Sequence, residues 1–353
     1  MIVRSQAVKT HRLLIECKGS IVPAIARKIL LGFILGVFAA LLRLEYFGPA
    51  ANDATKIDLG PFTALGVAIS LFLGFHNNAS YGRWWEARTY WGTQIIYIRN
   101  LARFVISYCE GSEGEDWKYN RSVISCEEGK SKASIQGQAS LPTFNDEISD
   151  WRVKLVLLSI AQTHALRAQL RPYSKSDGEQ QAIHDRNRFL TPSLLESISS
   201  SKNPANAILI EMGKILGKAY KNPENGLDSY TMIQVSRHID NICEIQTACE
   251  RIHNTSLPLA YSLLVTRTSF MYVLLVPFAM AEKMGWWTPI FTAIVAYTFF
   301  GLDKLAREIQ QPFSDKPQCL ALSAMCRTCE IDSLEILGIT TLHYLKPIRD
   351  VLM

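Results

Sequence analysis

Residues 61–92, PFTALGVAISLFLGFHNNASYGRWWEARTYWG, decide the fold of this chain. From Pro61 to Phe75 the stretch carries no charge, and small residues are interleaved with large apolar ones. That composition lets helix backbones approach closely inside a membrane. The chain then turns polar and aromatic, as helices do where they leave a bilayer, which predicts a spanning helix that leads into an interfacial motif. The residues of this interfacial motif are Asn77, Asn78, Arg83, Trp84, Trp85 and Glu86.

One face of the predicted helix carries a line of large apolar side chains. Val67, Leu71 and Phe75 follow one another at a spacing of four residues, which places them on roughly the same side of a helix. A line of this kind could border a pore, or it could pack against neighbouring helices. The pattern alone leaves both interpretations open.

Composition indicates a membrane protein with a large water-exposed part. Of the 353 residues 48% are hydrophobic and 20% are charged, so we expect only about a quarter of the chain to lie in lipid. The formal net charge of +5 is small and dispersed, which argues against a nucleic-acid partner. The basic N-terminal residues lack an apolar core followed by a small-residue cleavage site, so no cleavable signal peptide is expected.

The signatures of common enzymes are missing from the sequence. It contains no GxSxG, GxxxxGK[ST], GxGxxG or HExxH pattern, and its seven histidines are dispersed. His238 and Asp240 lie close together on a predicted helix, but this spacing is more typical of a solvated polar face. Cys326 and Cys329 form a single CxxC without a second pair, which disfavours a zinc site. We therefore predict a protein that is not an enzyme and that has no cofactor or metal.

Four apolar segments predict four transmembrane helices arranged as two hairpins. Each segment is short for a span of about 20 residues, but aromatic residues bracket it and a short loop joins the members of each pair. Basic residues are concentrated before the first segment, so the positive-inside rule places the N-terminus in the cytosol, and four spans return the C-terminus to the same side. The four segments are Ile29–Leu42, Pro61–Phe75, Leu257–Ala281 and Trp286–Leu302.

The predicted fold class is therefore all-α, with a large helical cytosolic region between the hairpins. Helical periodicity marks residues 83–109, 151–171, 204–219 and 229–253, and residues 110–150 have no clear period. The predicted domains are a cytosolic N-terminal segment 1–28, transmembrane helices 1 and 2 in 29–80, a cytosolic helical domain 81–256 with a mobile loop 110–150, transmembrane helices 3 and 4 in 257–304, and a cytosolic C-terminal segment 305–353.

Arg267 has two possible positions relative to the membrane. If the third span begins at Leu257, this arginine lies near the middle of the bilayer, where a charge is costly and usually functional. If the span begins at Thr268, Arg267 lies at the cytosolic interface, and the remaining stretch to Met284 still has about 17 apolar-rich residues. The second interpretation is favoured.

Three long motifs resemble the bestrophin family, in its bacterial branch. They are FLGFHNNASYGRWWEARTYWG at 72–92, PLAYSLLVTRT at 258–268 and AYTFFGLDKLAREIQQPFS at 296–314. The resemblance implies a homopentameric ion channel in which the second span forms a narrow neck, followed by a wide cytosolic vestibule and a second constriction. It places the neck at Val67, Leu71 and Phe75, and the cytosolic constriction near Ala205 or Ile208.

The sequence departs from the animal members of that family at a calcium site. Animal bestrophins carry an acidic calcium clasp after the fourth span, whereas residues 312–317 here read PFSDKP, with Asp315 as the single carboxylate. Calcium needs about six or more oxygen ligands, so calcium gating is not expected. Animal members favour anions and bacterial members are associated with cations, and the sequence does not decide between chloride and a cation.

The resulting hypothesis is a homopentameric bestrophin-like channel that passes small monovalent ions across a bacterial inner membrane. Its partners would be copies of itself, the ions and the lipid bilayer, with no nucleic acid. The main alternative is a non-conducting membrane scaffold or regulator in which the apolar face only packs helices. A third possibility is a membrane-bound enzyme that uses His76, Asn77 and Asn78.

Overall fold

The computed structural model describes the chain in seven ranges. These ranges are residues 20–46, 58–109, 124–125, 143–144, 150–171, 178–339 and 343–345. Most of the predicted N-terminal segment 1–28 and most of the predicted mobile loop 110–150 therefore lie outside the described residues.

The described chain is mainly helical, as predicted. Its only strands within those ranges are two antiparallel two-residue strands, in which Ile124 pairs with Phe144 and Ser125 with Thr143. Short 3-10 turns cover Pro223–Asn225 and Gly285–Trp287. In chain order the elements are α1 Val22–Tyr46, α2 Gly60–Tyr108, β1 Ile124–Ser125, β2 Thr143–Phe144, α3 Trp151–Leu170, α4 Gly178–Asn187, α5 Pro192–Ser199, α6 Pro204–Lys221, α7 Ser229–Asn254, α8 Leu259–Met284, α9 Thr288–Ile309 and α10 Leu322–Ile336.

Two stretches of the described chain are long and apolar enough to cross a membrane. They are Val22–Arg43 within α1 and Leu259–Ile309, which holds both α8 and α9. The predicted second span, Pro61–Phe75, is not among them. It forms the first part of α2, a single helix of 49 residues that continues without a break through the interfacial motif.

The chain divides into two compact units. The first, here called the hairpin unit, comprises the described residues within Ile2–Glu86 and Thr255–Pro312. The second, here called the middle unit, comprises those within Ala87–Asn254 and Phe313–Met353. Helix α2 contributes residues to both units.

In the hairpin unit, α1 packs closely on α9 because two glycines of α1 face α9. A Cβ atom on Gly36 would lie 2.5 Å from the Cα of Pro289, and one on Gly32 would lie 2.9 Å from the Cβ of Ala296. Inside a membrane the hydrophobic effect contributes little to helix association, so helices gain their packing energy from such close contact. These glycines are therefore a requirement of the α1–α9 interface.

Helix α2 joins the hairpin unit through one buried face. Ile69 and Leu73 pack in a cluster with Tyr272 and Val276 of α8 and Phe299 of α9. The buried positions follow each other at alternating steps of three and four residues, the spacing that keeps one seam against its neighbours along a long helix. In this unit the seam consists of Gly66, Ile69, Leu73, His76 and Ser80.

In the middle unit, α3 is the central helix and is buried on nearly all sides. It packs against α4, α6, α7 and α10. A chain of buried amides fixes its register, since Gln94 of α2 donates to Gln162 of α3 (2.8 Å), which donates to Gln246 of α7 (3.0 Å). Buried amides that find partners restrict how helices can slide past one another.

Replacing Gly36 with Ala should destabilise the protein. The new methyl group would collide with the backbone at Pro289, so we expect a loss of about 1–3 kcal/mol, seen as a lower thermal midpoint in detergent by circular dichroism. Gly213→Ala in α6 is the matched control, because nothing lies within 4 Å of its Cβ position and alanine favours a helix by about 0.5–1 kcal/mol. Equal midpoints for the two variants would contradict the close α1–α9 contact.

Candidate functional site

The predicted neck residues form an exposed apolar line on α2. Val67, Leu71 and Phe75 are 58%, 59% and 62% exposed, whereas Ile69 and Leu73 on the opposite side are at most 3% exposed. Four residues of helix advance about 6 Å, so the three side chains are stacked at that interval. Large apolar side chains with most of their surface uncovered mark a face that meets lipid, another subunit or a lumen.

The next residue, His76, points into the hairpin unit. It is fully buried, its Nε2 lies 3.4 Å from Ser262 Oγ, and its ring lies 5.7 Å from that of Tyr261. Asn77 donates to the carbonyl of Leu73 (2.9 Å), and Asn78 is exposed. The three side chains therefore point in different directions and do not converge on a reactive site.

Arg83 connects α2 to the ends of α8 and α9 within the hairpin unit. Its Nε donates to the carbonyl of Gln310 (2.8 Å), directly after the end of α9, and its Nη1 donates to the carbonyl of Thr255 shortly before α8. The carbonyl groups at the C-terminal end of α9 lack intrahelical donors, and a guanidinium there both satisfies them and suits the negative end of the helix dipole. Arg83 thus fixes the position of the interfacial motif.

The aromatic residues of the motif form one cluster. The ring of Tyr81 lies 6.1 Å from that of Trp84 and 6.4 Å from that of Trp85. Tyr81 and Trp85 are exposed, which suits the amphipathic boundary between lipid and water.

Sequence reasoning missed a buried polar network on α8 and α9. Asp303 is buried and its Oδ1 accepts hydrogen bonds from Thr266 Oγ1 (3.1 Å) and Arg307 Nε (3.2 Å), while Arg307 also donates to the hydroxyl of Thr266. The i, i+4 spacing of Asp303 and Arg307 is the signal that could have revealed it. The network neutralises a carboxylate inside an otherwise apolar helix bundle.

Comparison with known proteins establishes the family. The family model described as Bacterial/Fungal Bestrophin protein matches residues 1–335. The chain belongs to the bestrophin family. A voltage-dependent anion channel-forming protein of Mesorhizobium japonicum is 34% identical over 91% of this chain and 87% of its own length. The voltage-dependent anion channel-forming protein YneE of Escherichia coli strain K12 is 31% identical over 95% and 94%.

The fold agrees with a solved structure from the same family. The crystal structure of a bacterial bestrophin homologue from Klebsiella pneumoniae, carrying one substitution, is similar to this chain with a TM-score of 0.70. It is 27% identical, and the match covers 89% of this chain and 99% of the Klebsiella chain. The resemblance inferred from the three motifs is therefore confirmed.

In this bestrophin an arginine engages the segment where animal members carry a calcium clasp. In the middle unit, Arg171 pairs with the carboxylate of Asp315 (3.1 Å) and donates to the carbonyls of Phe313 (2.7 Å) and Leu320 (2.8 Å). Among the described residues no group of three or more His, Cys, Asp or Glu side chains could hold a metal ion. The positive guanidinium at Asp315 opposes the binding of a second cation there.

Another buried charge cluster centres on Glu330 of α10. Its carboxylate lies 2.6 Å from Arg188, 3.0 Å from Arg327 and 3.7 Å from His164. Burial alone would raise the pKa of Glu330, but the neighbouring His164 and the two arginine charges lower it to about 2. On the same helix, burial raises the pKa of Cys326 to about 12, which disfavours the thiolate needed for metal binding or redox chemistry.

The residues predicted for a cytosolic constriction lie in the core of the middle unit. Ala205 and Ile208 belong to α6 and are fully buried. Both side chains are buried within the subunit, and a constriction at these positions stays a prediction.

Replacing Glu330 with Gln should destabilise the protein and weaken its response to acid. At pH 7 the amide leaves Arg327 without a carboxylate partner and Arg188 with Asp185 alone (3.6 Å), which costs about 3–5 kcal/mol. The native carboxylate has a lowered pKa, so its contribution is present above the unfolded value of 4.5 and is lost as the pH falls toward about 2. We expect the thermal midpoint of the native protein to fall between pH 5 and 3 more than that of the variant.

The exposed Glu196 of α5 supplies the control for this acid test. Glu196→Gln should keep the native midpoint at pH 7 and the native acid response. If Glu330→Gln behaves like Glu196→Gln in circular-dichroism melts across the pH series, the buried cluster does not stabilise the middle unit.

Proposed function

We propose that this bestrophin is a homopentameric channel that passes small monovalent ions passively across a bacterial inner membrane. The observation that carries the proposal is the exposed apolar line of Val67, Leu71 and Phe75 on a helix whose other side is buried. Relatives from M. japonicum and E. coli are named as anion channel-forming proteins, which supports a conducting role over a scaffold or an enzyme.

The proposed topology has four spans per subunit and both termini in the cytosol. Helix α1, the first part of α2 up to residue 80, α8 and α9 cross the membrane. The middle unit and the segment from residue 305 onward lie in the cytosol. The apolar stretches Val22–Arg43 and Leu259–Ile309 and the basic N-terminal residues support this arrangement.

In the proposed pore, five copies of the apolar line form three stacked rings about 6 Å apart. An ion passing such rings loses most of its water, and the rings conduct when they are wide enough to stay wet. The buried seam of Ile69 and Leu73 holds each helix against its own subunit, so that the opposite face is free to border the axis.

Apolar rings discriminate weakly between positive and negative ions, because they offer neither donors nor acceptors to a dehydrated ion. The sign of the preferred ion must then depend on polar groups at the mouths of the neck and in the vestibule. The relatives from M. japonicum and E. coli are named as anion channel-forming proteins, which favours an anion. Reversal potentials measured under bi-ionic conditions assign the sign of the preferred ion.

The purified protein should be a pentamer in mild detergent. A closed ring satisfies every copy of a repeated interface, as closed homo-oligomers do. Light scattering that separates the protein mass from the detergent mass should give five times the 39.7 kDa subunit. A stable monomer or dimer would exclude the proposed pore, since a single four-span subunit cannot enclose a channel.

Replacing Leu71 with Ala should raise ion flux into liposomes. The substitution removes three carbons from each subunit, widens the middle ring and lowers the barrier to wetting, so we expect an increase of at least about threefold. A larger aromatic residue at the same position should lower the flux or change the ion preference. The measurement is a fluorescence flux assay on reconstituted pentamers.

Ile69→Val provides the matched control on the buried side of the same helix. It should leave flux unchanged and cost about 0.5–1.5 kcal/mol of stability. The assay contains a calcium chelator, because Asp315 is already paired with Arg171 and the channel should open without calcium. If Leu71→Ala leaves flux unchanged and only weakens the oligomer, the exposed line packs subunits and the scaffold alternative holds.

A further inference from the structure

Three helices of the hairpin unit meet around one lysine. The ammonium of Lys28 in α1 lies 4.8 Å from the ring centre of Phe270 in α8 and 5.0 Å from that of Phe300 in α9. The two rings are themselves 4.6 Å apart. A cation over aromatic faces is held electrostatically without being neutralised, so Lys28 keeps its positive charge available.

A second cation lies beside this aromatic pair. Arg267 precedes Phe270 by three residues on α8, which makes them neighbours on one side of the helix, and Arg267 is exposed. Arg27, next to Lys28, is exposed as well. Among the residues that the structure describes, no carboxylate lies within 4.0 Å of these three cations.

The cations of α9, in contrast, have carboxylate partners. Lys304 pairs with Glu308 (3.2 Å), and Arg307 pairs with the buried Asp303 (3.2 Å). The uncompensated positive charge at this end of the bundle therefore belongs to α1 and α8. Its counter-charge must come from outside the described part of the subunit.

Exposed apolar side chains continue from the cations along the same two helices. Leu31 on α1, three residues after Lys28, and Met271 and Leu274 on α8, four and seven residues after Arg267, each have about half of their surface exposed. Cations at one level with an apolar surface directly beyond them match the two parts of a phospholipid, namely a charged headgroup and acyl chains. Arg267 lies about one turn before Phe270, whose ring Lys28 contacts, and this favours a position for Arg267 at the membrane edge.

We propose that Lys28 and Arg267 bind the phosphodiester headgroup of an anionic glycerophospholipid in the cytosolic leaflet. Arg267 donates two hydrogen bonds to the phosphate oxygens, Lys28 supplies a point charge from its position over Phe270 and Phe300, and the acyl chains lie along Leu31, Met271 and Leu274. The site rests on the membrane orientation given in the proposed function, and it does not require that the protein conducts.

The test counts lipids bound to the purified full-length oligomer by native mass spectrometry. The probes are phosphatidylglycerol and phosphatidylcholine with identical acyl chains. The native protein should prefer phosphatidylglycerol. Arg267→Gln and Lys28→Gln should each weaken its binding about fivefold, and the double variant about 25-fold, with phosphatidylcholine binding unchanged.

Lys283→Gln is the matched control, because Lys283 is an exposed cation at the other end of α8. It should not change phosphatidylglycerol binding, and Lys28→Arg should retain it, which separates lost charge from lost folding. Equal binding of the two lipids by the native protein, or an equal loss in Lys283→Gln, would overturn the site. Displacement of phosphatidylglycerol by millimolar inorganic phosphate would also overturn the site.

Binding is measured without ion flux, so the two proposals can fail separately. A protein that prefers phosphatidylglycerol but does not conduct overturns the channel and supports the lipid site. A conducting pentamer without lipid preference supports the channel and overturns the lipid site.

Discussion

The arrangement of the hairpin unit depends on the buried seam of α2. Because Ile69 and Leu73 are covered by α8 and α9, the helix cannot rotate about its axis without exposing them, and Val67, Leu71 and Phe75 must point away from the subunit. Gly66 tightens this constraint, since a Cβ atom there would lie 2.6 Å from the hydroxyl of Tyr272. A packing requirement inside one subunit thus determines which side chains of α2 are exposed on the subunit surface.

In each unit an arginine side chain donates hydrogen bonds to backbone carbonyls that lie outside the helices. In the hairpin unit Arg83 satisfies carbonyls at the end of α9 and before α8, and in the middle unit Arg171 satisfies those of Phe313 and Leu320. Phe313 and Leu320 are buried, and without this donor their carbonyls would stay unpaired at a cost of about 1–3 kcal/mol each. Arginine suits this task because its planar fork serves several acceptors at once.

The sequence predicted the mainly helical fold and the family, because local periodicity and long motifs carry them. The four spans and the pore-lining face of α2 stay predictions. The sequence did not predict that α2 runs unbroken to Tyr108, since the seam passes through polar residues such as His76 and Gln94 that hydropathy does not mark as buried. Arg171 and Phe313 are 142 residues apart in the chain, as are Arg188 and Glu330, and spacing cannot reveal these pairs. The burial of Ala205 and Ile208 fits their place on the amphipathic helix α6, because apolar residues of such a helix usually belong to the core, and their role in a constriction stays a prediction.

Polar groups beside Phe75 cannot choose the sign of an ion by contact. His76 follows Phe75 directly, but successive helical residues point about 100° apart, so its ring turns into the bundle. The nearby Asp303 carries a charge that Arg307 balances, and the pair leaves little net field. The apolar line itself presents no donor or acceptor, so in the proposed pore discrimination by charge depends on exposed polar side chains at its two ends, such as Thr63 and Asn78. In such a channel the neck controls passage, whereas residues outside it control which ion arrives.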